Sequence, residues 1–600
     1  MNKKLSLVPL SLIALLALVG CQSSKDFTVD DSIDPASGNV SGGGEHEDVT
    51  IDDTPEEPEV NNSGSFSLTA ADTATGVVTQ SGNVYTISAA GSYSAKGVLE
   101  DGQIIIDVGD EDEVELELKG ATISCSTDSP IKVLNADKLE ISAKKNTDNK
   151  VIDARSEKSS TAVDDGSLGE GAINAKCDLK LKGAGTLVVE GNYNNGVHTT
   201  KDLTVQKETL HVTAVNNAFK GKNSITMVSG TVTAISKKGN GLKTDNTDLG
   251  SSGKQKGSIT ISGGTLVVDS AFDGIDAAYN AVINQDNEDS LDTKVTIKTG
   301  RYSTYSSNYS SDTSSKGIKA DNQIDIAAGT IGIKATDDAI HANYGDSITS
   351  GGVGQGLINI TGGNIGIASG DDGIHADNTL TINDGFVTIT GATEGLEANH
   401  IKINGGSTSI YGSDDGVNAS KKINQTPSVE ITGGFLDVAV SSGDTDGIDS
   451  NGTFKMTGGL VITRGGPGGG NRMSTGLDCD STVSFSGGTI IAFNGMENKP
   501  TITSSVCYAY YGSTSEGGGP GGPGGPGGGG HPSVATSYMF QPGVYVLSGG
   551  DITKTFENEY NYSTFLVYSN EIVKGESYTL ARDGTTLLSW TQSSQSQKIS

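Results

Sequence analysis

Aromatic residues are scarce in this chain: 5% of 600, with a single tryptophan, Trp590. With hydrophobic residues at 34%, several ordinary globular cores are excluded, yet Val, Ile and Leu recur too regularly for disorder. Positive charge is also short. Lys and Arg number 41 against 73 Asp and Glu, a formal net charge of -32. That balance argues against a nucleic-acid partner, because phosphate contacts need Lys and Arg. It favours cations, or ligands bridged by cations. No apolar run after Leu18 is long enough for a membrane-spanning helix. Cysteine is sparse after Cys21: Cys125, Cys177, Cys479 and Cys507 show no CxxC and no zinc spacing. They suit either disulfide pairing in an exported chain or single buried thiols.

Glycine, with 84 residues, is abundant, and so is repetition. Ser369-Gly-Asp-Asp-Gly-Ile-His-Ala-Asp-Asn378 echoes Asp337-Asp338-Ala339-Ile340-His341-Ala342 and Asp414-Asp415-Gly416-Val417-Asn418-Ala419. Looser copies begin at Phe272, Thr393 and Thr445. The Gly or Ala of the motif recurs at 196, 218 and 241, at 317 and 339, and at 373, 395 and 416, separations of 21 to 23 residues. Longer separations read as the same unit with an inserted loop. Each unit also carries a strand, a Gly-Gly turn and a second strand, as in Ile358–Ile367 and Ile259–Val268. Three short strands in ~22 residues predict an all-β fold, a right-handed parallel β-helix with three sheets. Within Gly-Ile-x-Ala, Ile and Ala point inward and x outward. The marker glycine is expected to supply a positive φ at a tight corner. Insertions at 245–256, 279–294, 343–356 and 420–428 are expected along one edge, forming a wall beside a binding face.

The flanks differ in composition. Residues 1–20 read as a lipoprotein signal: a basic start, an apolar run over Leu5–Leu18, then Leu18-Val19-Gly20-Cys21, with Cys21 the lipidated residue. The alternative is an ordinary secretory signal; both predict export, and the first predicts anchorage at an outer membrane or cell surface. Residues 21–65 read as an acidic disordered tether, 66–512 as the β-helix, 513–532 as a Gly/Pro-rich loop and 533–600 as β-structure closing the far end. The chain is expected to act as a monomer.

The recurring acids carry the chemistry. Asp273, Asp338, Asp372, Glu394, Asp415 and Asp446 precede the marker; Asp337, Asp371 and Asp414 stand beside them; Asp276, Asp377, Glu397 and Asp449 follow. Stacking places such carboxylates about 5 Å apart. Their repulsion is of order 1 kcal/mol in water and ~3 kcal/mol when half-buried. Ca2+, which takes oxygen ligands, would remove it, so the metal set is Asp273, Asp276, Asp337, Asp338, Asp371, Asp372, Asp377, Glu394, Asp414, Asp415, Asp446 and Asp449. The competing reading is turn residues capping local backbone groups; Asn195, Asn217 and Asn240 fill the slot in earlier coils and favour it there. His198, His341 and His375 share an outward slot that also takes Lys319, Glu397 and Asn418. This reads as a tolerant surface position, with a transition-metal pair at His341 and His375 as the alternative. Tyr302, Tyr305, Tyr344 and Tyr411 are candidates for stacking on sugar rings. Lys243, Lys316 and Lys319 would be the bases if the chain were a lyase, but they form no recognisable catalytic set.

Asp101–Asp107, Val133–Leu139, Gly185–Val197, the Asp-Asp-Gly-Ile repeats and Phe565–Leu580 together resemble a bacterial family of exported β-helical carbohydrate-binding domains, related in fold to pectate lyases. The resemblance implies polysaccharide binding, acidic sugars included, with Ca2+ in the solenoid and no established catalysis. Asn195 and Asn240 depart from the family-like Asp, which weakens calcium in the early coils. The expectation is a surface lipoprotein that binds polysaccharide, acidic or cellulose-like, with Ca2+ as cofactor; the alternatives are a polysaccharide lyase and an adhesive spacer.

Overall fold

The computed structural model describes residues 55–70, 78–161, 166–285, 292–348, 352–467, 474–496, 500–503, 505–512 and 539–600. The signal segment, Cys21, most of the tether and the Gly/Pro-rich loop lie outside the described residues.

The repeat folds as a three-strand coil. Ile318–Ala320, Gln323–Ile326 and Thr330–Ala335 make one coil, and the next places Ile340–Ala342, Leu357–Ile360 and Asn364–Ser369 on them in parallel. The register puts like on like: Ile318 on Ile340 on Ile374 on Leu396 on Val417 on Ile448. Each of these side chains is fully buried. No single coil encloses an apolar interior; stacking completes it. The result is a parallel β-helix with one continuous core. Cys125, Cys177, Cys479 and Cys507 are buried and unbridged.

The marker glycines do not sit at positive φ. That conformation belongs to the second glycine of the Gly-Gly turns, such as Gly363 at 94° and Gly434 at 77°. The marker is small because of close approach: a methyl group on Gly317 would overlap Ile333 Cγ2 and stand 2.5 Å from the carbonyl oxygen of Ala339 in the next coil.

Three of the four expected insertions, at 245–256, 343–356 and 420–428, leave the same corner, the last ending one residue early because Ser428 opens the strand Ser428–Ile431. The fourth differs: Asn280–Ile283 is itself a strand of the second sheet, so its loop begins at Asn284. No Gly-Gly turn marks that strand in the sequence. A further excursion, 300–316, leaves a different corner, after Lys294–Thr299, and carries two short 3-10 turns.

Antiparallel strands enter at both ends of the parallel stack. Ser67–Ala70 pairs antiparallel with Gly91–Leu99, and Val78–Ser81 with Val84–Ile87. At the far end Phe565–Ser569 runs antiparallel to Thr489–Phe493 and to Cys507–Tyr511. Beyond lies a four-stranded antiparallel sheet of Gly543–Gly549, Ile552–Asn558, Ser577–Arg582 and Thr585–Thr591. Phe493 joins it to the solenoid, ringed by Phe540, Tyr545, Phe556, Tyr562 and Phe565 at centroid distances of 5.1 to 6.1 Å.

Candidate functional site

The residue before each marker makes a side-chain ladder. Oδ1 of Asn195, Asn217 and Asn240 accepts the backbone N–H of Asn217, Asn240 and Asp273 in the following coil. The carboxylates continue it. Asp273 Oδ1 accepts from Lys316 N at 2.8 Å and Ser314 Oγ at 2.6 Å; Asp338 Oδ1 from Asp372 N at 3.1 Å; Asp415 Oδ1 from Asp446 N at 2.8 Å. One oxygen of each such carboxylate therefore does what an Asn would do, which explains why both residue types share the slot. The second oxygen is left for other chemistry.

Between Asp337 and Glu397 that second oxygen meets cationic side chains. Lys316 Nζ lies 2.7 Å from Asp337 and 2.8 Å from Asp338 Oδ2. His341 Nδ1 is 2.5 Å from Asp338 Oδ2, and His375 Nδ1 is 2.7 Å from Asp372 Oδ2. Glu397 Oε2 sits 3.1 Å from His375 Nδ1 and 2.7 Å from Lys422. The outward slot of the first sheet is thus an ion ladder: Lys243, Asp276, Lys319, His341, His375, Glu397 and Asn418 follow one another in register. Asp276, His375 and Glu397 in it are buried. Ligand atoms of Asp337, Asp338 and Asp371 lie within 4.8 Å of one another, as do those of Asp371, Asp372 and Glu394.

Electrostatics follow from this partnering. Burial raises the Asp372 carboxyl, and Glu394 and Glu397 add to it. Burial would lower the His375 imidazole, but Asp372, Asp377 and Asp338 outweigh it and push it up to about 10. Asp338 and Asp377 are held well below the usual carboxylate range: their histidine hydrogen bonds, with Lys316 aiding Asp338, outweigh burial. Burial would also lower Lys243, Lys316 and Lys319, yet their aspartates win and all three are raised. They stay protonated at neutral pH, the opposite of what proton abstraction from a sugar carbon asks of a base.

Further along, the compensation stops. Among the described residues no ion pair reaches Asp415, Asp446 or Asp449. Burial, followed by neighbouring carboxylates, pushes Asp415 up to about 8, Asp446 to about 7 and Asp449 to about 6.

A separate cleft of about 490 Å³ crosses the third sheet. Its floor is the outward row Glu190, Thr213, Ile235, Asp269 and Lys298, in register over five coils. Thr304 and Tyr305, on the 300–316 excursion, overhang it. Asp269 pins that loop, accepting from Ser303 Oγ at 2.5 Å and Thr304 N at 3.1 Å. Lys237 Nζ stands 6.0 Å from the Tyr305 ring centroid. Pro55 and Glu57 border the other side, with Glu57 2.9 Å from Lys150. The four candidate tyrosines do not converge. Tyr302 lies under the Arg301 guanidinium, 4.9 Å from the ring centroid. Tyr344 is exposed in the 343–356 loop, and Tyr411 contacts Tyr560 of the C-terminal region. Sequence reasoning missed the cleft because its floor residues share no type; the signal available was the tyrosine-rich insertion beside it.

A family model described as "Carbohydrate-binding domain-containing protein" matches residues 81–355 and 346–444, more than half of the chain. The chain belongs to this carbohydrate-binding family. A relative of the same description from Acetivibrio thermocellus is 33% identical over 128 residues, which is 21% of this chain and 44% of the relative. The match therefore spans less than half of that relative's length. A solved structure described as the polysaccharide lyase-like protein from C. thermocellum, a gadolinium derivative, is 27% identical, covers 42% of this chain and 92% of its own, and superposes with a TM-score of 0.33.

Proposed function

We propose that this member of the family binds polysaccharide along the cleft of the third sheet. The observation that carries the reading is Tyr305 lining a cleft whose floor, four polar side chains and Ile235, runs in register across successive coils. A sugar chain offers the matching chemistry, ring faces for an aromatic wall and hydroxyls for a polar floor. Lys237 and Lys298 line the cleft beside Glu57, Glu190 and Asp269, a lining of mixed charge that suits sugar hydroxyls and does not by itself select an acidic, uronate-type glycan over a cellulose-like one.

Calcium belongs to the proposal as a stabiliser. Asp414, Asp415, Asp446 and Asp449 suit it because they offer carboxylate oxygens without counter-cations; Ca2+ bound there would remove their mutual repulsion. Residues 1–21 support export and anchorage through Cys21, so the proposed setting is a bacterial membrane surface.

The test is affinity electrophoresis of the wild type and Tyr305→Ala in gels carrying polygalacturonate or soluble cellulose derivatives, with and without Ca2+. Loss of a stacking ring is expected to weaken binding roughly tenfold. Unchanged retention of Tyr305→Ala and of a variant lacking residues 302–314 would refute the cleft as the site.

A further inference from the structure

Residues 55–62, the last part of the expected tether, lie along the outer face of the third sheet. One outward row there runs in register over five coils: Thr122, Lys150, Val188, His211 and Thr233. The segment follows this row. Asn62 Nδ2 donates to Thr122 Oγ1 at 3.2 Å and to the Asp148 carbonyl at 2.9 Å. Glu57 pairs with Lys150 at 2.9 Å, and Pro55 and Glu57 border the cleft that Thr213 and Ile235 also line. Eight extended residues reach roughly 25 Å, which suffices for the about 19 Å that five stacked coils rise.

The row is covered but not satisfied. Leu210, Val212 and Val232 belong to the core of the solenoid. Val188, His211 and Thr233 point the other way, yet are only 1%, 8% and 1% exposed. His211 Nδ1 and Thr233 Oγ1 are buried without a hydrogen-bond partner in the protein. Glu57 is near enough to oppose the lowering that burial imposes on the His211 imidazole, but its hydrogen bond goes to Lys150. Buried polar atoms left unpaired cost stability, so the cover suits them poorly. A sugar hydroxyl both donates and accepts, and would satisfy each. Lys150 does not depend on the segment, because Glu190 of the next coil also pairs with it. Glu57 can therefore depart without stranding a cation.

We propose that His211 and Thr233 form an additional glycan subsite, and that residues 55–60 are a strap which bound polysaccharide displaces from it. The subsite is continuous with the cleft, since Thr213 and Ile235 stand two residues further along the same two strands. The proposal rests on the reading of that cleft as a polysaccharide site. It adds that the chain's own tether competes with the ligand for part of the third sheet.

The test replaces residues 55–60 of the full chain with a Gly/Ser segment of equal length and compares retention in gels carrying polygalacturonate or a soluble cellulose derivative. The replaced chain is expected to bind roughly 3- to 10-fold more tightly than wild type, because the competing closed state is removed. Within it, His211→Leu and Thr233→Val should return affinity to the wild-type level or below. Urea unfolding of these two variants should show no loss of stability, as apolar replacement of unpaired groups allows. In the wild type, hydrogen exchange of the amides in 55–62 should quicken when glycan is added. Wild-type retention that the replacement leaves unchanged or weakens would overturn the strap while the cleft reading stands. Retention indifferent to His211→Leu and Thr233→Val would likewise overturn the subsite. Absence of retention in both chains would overturn the cleft reading and this inference with it.

Discussion

Asp338 and Asp372, one coil apart, are joined by a hydrogen bond from the backbone N–H of Asp372 to Asp338 Oδ1 at 3.1 Å. The same bond recurs along the turn column whether the acceptor is Asp or Asn. A carboxylate there has a structural half and a half free for charge, and the two are separable by substitution.

Asp415→Asn should keep the bond to Asp446 N and lose the charge. In chelator it is expected to raise resistance to unfolding relative to wild type, because Asn avoids both the protonation that burial forces on this carboxyl below about pH 8 and the unpaired charge above it. Asp415→Ala, which also removes the acceptor, should lower it by about 1–3 kcal/mol. Calcium should stabilise the wild type and not Asp415→Asn. Urea unfolding of the three proteins in Ca2+ and in chelator checks this; a wild type indifferent to calcium would reduce these aspartates to turn formers.

Asp273 gives a pH dependence. Burial, with the Asp276 charge adding to it, pushes its carboxyl up to about 6, against the lowering effects of Ser314, the Lys316 N–H and Lys319. The folded state therefore binds this proton more tightly than the unfolded chain does. The stability it contributes is complete below the ordinary carboxylate pKa, near 4, and is lost as pH rises through about 6. Asp273→Asn, which restores the residue type of Asn240, should fall less in stability between pH 5 and pH 7 than wild type. Thermal melts at those two pH values measure the difference.

The marker glycine is a packing requirement. Gly317→Ala should destabilise by about 1–3 kcal/mol through overlap with Ile333 and the Ala339 carbonyl. Gly391→Ala is the control: a methyl group there meets nothing within 4 Å, and its effect should stay within about 0.5 kcal/mol. Hydrogen exchange of the flanking strands would resolve the two.

Phe493→Ala should cost about 3–5 kcal/mol and do so locally, at the junction with the C-terminal sheet. Limited proteolysis is expected to release a C-terminal fragment while the coils before residue 460 stay protected. Uniform loss of protection would show that the junction and the coils unfold as one unit.

The repeat was readable because its information is local: Ile-x-Ala, the Gly-Gly turn and the acidic pair recur within about 22 residues. What each acid touches was not local. Asp276 meets Lys243 and Lys319, which sit one coil back and one coil on, at sequence distances set by insertions. The histidine slot looked permissive because Lys, Glu and Asn also occupy it; stacking brings Lys243 and Lys319 onto Asp276 and His375 onto Glu397. The marker glycine was legible as a requirement but not in its cause, since Ile333 reaches Gly317 only after the coil closes.

The antiparallel strands at the two ends have a bearing on assembly. A stack of parallel strands presents at each end a row of backbone donors and acceptors in the register that another copy of the same repeat would match. Ser67–Ala70 runs the wrong way to continue it; at the far end the direction reverses at Phe565–Ser569, and Cys507–Tyr511 and Ser596–Lys598 then resume it. Head-to-tail growth needs both ends, so the reversed strands at the first end are enough to oppose it, and the rod keeps a length fixed by its own sequence.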